Sequence, residues 1–166
     1  MPDGRTHRKI HRIFWPLPIA SAGLLFYYAL PWTWPSTVMV AVIPFGYWLG
    51  NLIDPDLDLP RQTEAERQWR ACVIFLPMLI WWWLYAILAK AFGGHRSFLT
   101  HAPFISTAIR MVWFLLPFIL LAYLSGVFLP SVKETSLAVL AGVYIGLSIS
   151  DLVHVIADVG LLKWFF

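Results

Sequence analysis

Four stretches of this chain, residues 13–30, 36–53, 105–129 and 137–159, are each apolar over about the 20 residues that a helix needs to cross a bilayer. That repeated length constrains the fold more than any single motif does. A fifth apolar stretch, 71–92, contains Pro77 and the run Trp81-Trp82-Trp83 with Tyr85, a composition typical of the membrane–water interface. Across the 166 residues, hydrophobic types make up 60% and charged types 13%, against roughly 45–50% and about 25% in soluble domains. Such a chain has too little polar surface to cover a soluble core. The expected architecture is therefore all-α: a single integral membrane helical bundle over residues 1–166, with about four transmembrane helices and one interfacial or re-entrant helical segment at 71–92. A disordered chain is excluded. So is a disulfide-stapled module, since Cys72 is the lone cysteine. No nucleic-acid partner is expected, because the net charge of +3 comes from uneven placement of Lys and Arg rather than from a basic binding face.

The charge distribution predicts a topology. If 71–92 does not cross, then Arg5, Arg8, Lys9, Arg12, Arg61, Arg67, Arg70, Lys90, Arg96 and Arg110 all lie on or near one face, and Lys133 lies on the other. The positive-inside rule makes the crowded face cytoplasmic. If 71–92 does cross, Lys90 and Arg96 move to the other face and the bias weakens. The expectation is a multi-pass protein of the cell inner membrane. Ala20-Ser21-Ala22 offers a signal-peptide cleavage site, but Pro16 and Pro18 interrupt the short apolar run before it, and a retained anchor is preferred.

Ionisable groups at membrane depth are costly, so they are the first candidates for function. Here all five histidines and five of the nine acidic residues fall in four segments, 5–12, 54–58, 94–101 and 151–158. His154 and Asp158 are four apart, which puts them on one helix face, one turn apart. That spacing suits chelation of one ion, with Asp151 as a partner that orients His154; the plainer alternative is a His–Asp pair on a bundle seam. In Asp54-Pro55-Asp56-Leu57-Asp58, carboxylates gather where Pro55 stops a helix, an unfavourable place for negative charge unless a cation or arginines relieve it. A solvated acidic loop is the alternative. The segment from His95 and Arg96 to His101 offers two imidazoles and a guanidinium shaped for phosphate, or else a basic loop against lipid headgroups. His7 stands beside Thr6 in the basic head. His11 shares its helical face, but its basic neighbours count against it as a ligand.

Taken in order, Thr6-His7, Pro55-Asp56-Leu57-Asp58, His95-Arg96-Ser97-Phe98-Leu99-Thr100-His101 and His154-Val155-Ile156-Ala157-Asp158 resemble the membrane-bound metal-dependent hydrolases of the YdjM type. The opening Met1-Pro2-Asp3-Gly4-Arg5-Thr6-His7 is closer still to a related family of uncharacterised membrane metal-binding proteins common in cyanobacteria. This resemblance implies metal ligands at His7, Asp58, His101, His154 and Asp158, with His95 and Asp56 as further candidates. A more distant likeness to zinc-dependent phospholipase C points to a phosphoester.

The resulting expectation is a metal-dependent hydrolase acting on a phosphoester or lipid-linked substrate at the cytoplasmic membrane face. It would use one or two divalent ions, zinc first and manganese or iron as alternatives, since mixed imidazole and carboxylate ligands suit these metals. Arg96 would neutralise an anionic substrate, and Asp56 or His95 would act as general base or additional ligand. The chief rival is a non-catalytic metal-binding scaffold or assembly factor with the same ligands. A metal or ion transporter is disfavoured, because the clusters sit at span ends rather than near the midplane. Membrane lipid is the expected partner.

Overall fold

Proline decides where the first helix breaks. In the computed structural model, residues 4–53, 76–91, 93, 102–125 and 134–159 are described, apart from the side chains of residues 4–8, 76–79, 122, 158 and 159. Helix α1 covers Gly4–Ile13 and α2 covers Pro16–Leu24, continued by a π-helical turn over Leu25–Ala29. Between α1 and α2 the chain turns at Phe14 and Trp15, where the Trp15 N–H reaches only to the Arg12 carbonyl. Pro16 and Pro18 have no N–H to donate to the preceding turn, so α1 does not run on into α2. The first expected span, 13–30, thus begins at Pro16.

Thr33 starts the next helix, α3, Trp34–Leu49. Its backbone is extended, its Oγ1 accepts the Ser36 N–H at 3.4 Å, and Pro35 occupies the first turn, where a missing N–H leaves no carbonyl unpaired. The α-helix stops at Leu49 and a turn carries the chain through Ile53, before the acidic segment rather than at Pro55. Then follow α4 (Leu76–Ala91), α5 (Ile105–Leu124) and α6 (Glu134–Val159). Every described element is helical, in agreement with the all-α expectation.

The spine of the fold is the contact between α3 and α6, built from two pairs of glycines four apart: Gly46 and Gly50 on α3, Gly142 and Gly146 on α6. A Cβ on Gly146 would lie 2.1 Å from the Ile43 carbonyl oxygen, and one on Gly46 would lie 2.4 Å from that of Val143. Only hydrogen at these positions lets the two backbones touch. Met39 faces Gly142, Ile43 and Tyr47 face Gly146, and Gly50 faces Ser150. The partners ascend together, so α3 and α6 run parallel.

Helix α4 packs into this frame. Trp82, Tyr85 and Ala89 are buried in one cluster with Ile53 and Leu147. Trp81 stacks on Trp113 of α5 with ring centroids 4.5 Å apart, and each indole N–H donates to the other residue's backbone carbonyl, at 2.8 and 3.2 Å. The tryptophan run, which composition alone assigns to an interface, supplies inter-helix packing here, although Trp83 remains exposed. Residues 76–91, the described part of the stretch expected to be interfacial or re-entrant, form one unbroken helix. Pro77 falls in the first turn of the described helix, where it introduces no kink.

Among the described helices, Glu134–Ala157 alone is long and apolar enough, by length and composition, to cross a membrane; Pro16–Ala29, Trp34–Leu49 and Ile105–Leu121 are shorter apolar helices. The 16 residues of α3 extend about 24 Å at ~1.5 Å per residue, short of the roughly 30 Å hydrocarbon core. The turns at both ends, capped by Thr33 and opened by Gly50, account for the shortfall.

Candidate metal centre

At the end of the bundle where α3 finishes, three other helices come in. Helix α1 lays Ile10 against Tyr47, Val153 and Ala157 in a buried cluster. The Tyr47 hydroxyl donates to the His11 backbone carbonyl at 2.9 Å, and the two rings lie 5.3 Å apart. His11 itself is buried, although its basic neighbours predict an exposed residue. The first turns of α5 contribute Ser106, Thr107 and Arg110, all buried, and α6 contributes Asp151 and His154.

Arg110 ties these elements together. Its Nη2 donates to Asp151 Oδ2 in an ion pair whose side chains are 2% and 1% exposed. Nη1 donates to the Ile53 backbone carbonyl at 2.5 Å. Nε donates to the Ser106 carbonyl at 3.3 Å. Thr107 Oγ1 donates to the same Asp151 oxygen as Arg110. Such a pair in a low-dielectric interior holds only when both partners are present, because either charge alone is left uncompensated. From sequence, Arg110 counts merely as one of the basic residues of one face. The available signal is that it is the only charge within a long apolar stretch, which demands a partner. Asp151, expected to orient His154, spends one oxygen on Arg110 and Thr107 instead.

The residue before α5 has an unusual backbone. Phe104, immediately before α5, has φ 71° and ψ −56°, a conformation that costs a non-glycine residue energy, and the Tyr144 hydroxyl donates to its carbonyl at 3.1 Å. This fixed turn lies three residues after His101.

Of the residues expected from sequence to bind metal or substrate, His154 is the one whose side chain is described, and it is 1% exposed. His7 lies on α1 one turn before His11, and Asp158 lies on α6 one turn after His154; their side chains lie outside the described residues. Asp56, Asp58, His95, Arg96 and His101 lie outside the described residues altogether. Their chain neighbours do not: Ile53, which leads into 54–58, is bound to Arg110, and Ala102, which follows His101, accepts the Ser106 N–H at 3.0 Å. Among the described residues no three His, Cys, Asp or Glu side chains gather into a metal site. The donors that are present are nevertheless of the right kind for a divalent ion. Asp151, His154 and Asp158 occupy one face of α6 by their spacing of three and four, and Asp151 Oδ1 is buried with no hydrogen-bond partner.

Residues 2–165 match the family model of uncharacterised metal-binding proteins (DUF2227). The chain belongs to that family. Membership makes it a metal-binding protein, of a kind whose metal and activity the family description leaves open. No curated protein and no solved structure matches the chain.

Proposed function

We propose that this metal-binding protein is a multi-pass membrane hydrolase. In this reading it holds one or two divalent ions, zinc foremost, where α1, α3, α5 and α6 meet, and it cleaves a phosphoester or lipid-linked substrate at the cytoplasmic face. The observation that carries the proposal is the buried His154 beside the Arg110–Asp151 pair, at the end of the bundle where Arg110 also holds the Ile53 carbonyl. His7, Asp58, His101, His154 and Asp158 would hold the metal, with His95 as a further donor. A bound divalent ion acidifies a coordinated water and offsets charge on a phosphoryl transition state. Arg96 would bind the substrate's anionic oxygens in bidentate fashion. A carboxylate oxygen of Asp56, or an imidazole nitrogen of His95, would accept the proton of the attacking water.

Two features support the membrane placement. Large apolar side chains stay exposed along the outer faces, among them Tyr27, Tyr28, Trp32 and Trp34 near the α2–α3 connection and Phe118, Leu121, Tyr123 and Leu124 on α5, more than an aqueous surface tolerates. The parallel run of α3 and α6 also favours four crossings. If both helices cross, an odd number of crossings must separate them. Helices α4 and α5 then supply one between them, and the longer α5 is the natural choice. Lys90 and Arg96 stay with exposed Lys9 and Arg12 on the basic face.

The test is elemental analysis of the purified full-length protein, with hydrolysis of short-chain phospholipids and chromogenic phosphodiesters as the readout. The expected result is at least one tightly held divalent ion per chain and turnover that stops on chelation and returns with zinc. Asp58→Ala and His154→Ala should fold yet lose both metal and turnover. Unchanged turnover in metal-stripped protein refutes the hydrolase. The burial of Arg110, Asp151 and His154 favours one rival, a non-catalytic scaffold clamped by its ion. That rival predicts full metal content, a sharp fall in melting temperature on chelation, and no turnover of any phosphoester.

A further inference from the structure

Asp151 stands out among the buried polar groups. Its Oδ2 receives both Arg110 and Thr107, while its Oδ1 is buried and accepts no hydrogen bond. An oxygen of an ionised carboxylate in that condition forfeits the hydration it had in water, a large cost unless another cation or donor meets it. Arg110 does not meet it, being committed to Oδ2, Ile53 and Ser106. The position of Asp151 in the chain indicates what does. It precedes His154 by three residues on an unbroken helix, and a carboxylate and a histidine three apart, projecting inward from one helix of a bundle, are the donor pair that di-metal carboxylate bundles use.

We propose that Asp151 is itself a metal ligand, binding through Oδ1 the ion held by His154, while Arg110 and Thr107 fix its other oxygen. The inference rests on the metal reading above and adds a donor to it. It also gives the buried ion pair a purpose beyond joining helices. Two donors on Oδ2 lock the carboxylate's rotation and leave Oδ1 as the oxygen open to an ion, the outer-shell support that raises metal affinity. Because Arg110 also grips the Ile53 carbonyl, the same side chain fixes the turn that follows α3 relative to α6.

The test uses the full-length protein in detergent, stripped of metal and titrated with Co²⁺ alone, reading affinity by competition with a chelator and coordination by the visible ligand-field spectrum. Asp151→Asn keeps an acceptor for Arg110 and Thr107 but replaces one oxygen with an amide nitrogen. It is expected to bind Co²⁺ about 10- to 100-fold more weakly, with a changed spectrum. Should that variant unfold, the paired change R110M/D151M removes both charges together and is read the same way. Wild-type affinity in either folded variant overturns the proposal. Weaker binding with an unchanged spectrum overturns it too, since Asp151 would then only orient His154. His154→Ala separates the two levels: if it also binds Co²⁺ normally, the metal reading itself fails, whereas if it alone loses the ion, only the role of Asp151 does.

Discussion

Helix α6 touches α3 and α5 in opposite ways. Against α3 it presents Gly142 and Gly146, and the contact is backbone on backbone with no polar side chain at its centre. Against α5 it presents Asp151, and the contact is an ion pair with Arg110, reinforced by Thr107. The first seam is held by shape. It gains dispersion contacts from many atoms and tolerates no added volume. The second is held by charge balance, and in a buried setting it contributes less to net stability than to fixing which residues meet. The glycine seam sets the two helices parallel and close, and the charged seam then ties α5 and the Ile53 turn to α6.

Gly146→Leu should break the comparison most severely. Even a lone Cβ would lie 2.1 Å from the Ile43 carbonyl oxygen, so a leucine forces the helices apart, and no cooperatively melting bundle is expected by circular dichroism in detergent. Gly146→Ala gains roughly 1 kcal/mol of helix propensity, but the same overlap makes it a net loss of about 1–3 kcal/mol. On the charged seam, Arg110→Met should cost about 3–5 kcal/mol by stranding Asp151, and R110M/D151M should recover most of that. Equal melting of the single and double variants would show the pair to be dispensable. The smallest effect belongs to a position on neither seam. Thr33→Ala removes the α3 cap and should lower stability by about 1 kcal/mol, with metal content unchanged by elemental analysis.

Family membership adds metal binding to this picture, and the two seams suggest how such a chain divides the work. The part that must be rigid is made from glycine and apolar surface. The part that holds the buried polar groups Arg110, Asp151 and His154 lies where α1, α3, α5 and α6 come together. The strained Phe104 turn before α5 is fastened by Tyr144 of α6.

Much of the fold was legible. The apolar stretches give the helices, Pro16 and Pro18 mark a break, and Thr33 before Pro35 marks a start. The glycine pairs of Gly46-Tyr47-Trp48-Leu49-Gly50 and Gly142-Val143-Tyr144-Ile145-Gly146 were equally readable as small residues four apart, although nothing local says that they face each other. The Trp81-Trp82-Trp83 run misleads, because the aromatic composition of an interface and of a stacked helix contact is the same. Of the candidate site, the donor types and their helical spacing on α6 are sequence properties. That Arg110 meets Asp151 rather than Asp54, Asp56 or Asp58 is not.

The division has a physical reason. Periodicity, capping and apolar length act within a few residues, so the amino-acid order alone determined an all-helical, strongly apolar chain with its histidines and most of its aspartates in four segments. Pairing across dozens of residues depends on which helix faces which and in which direction. That was decided only when close-packed glycines set α3 alongside α6 and left one buried carboxylate within reach of one buried guanidinium.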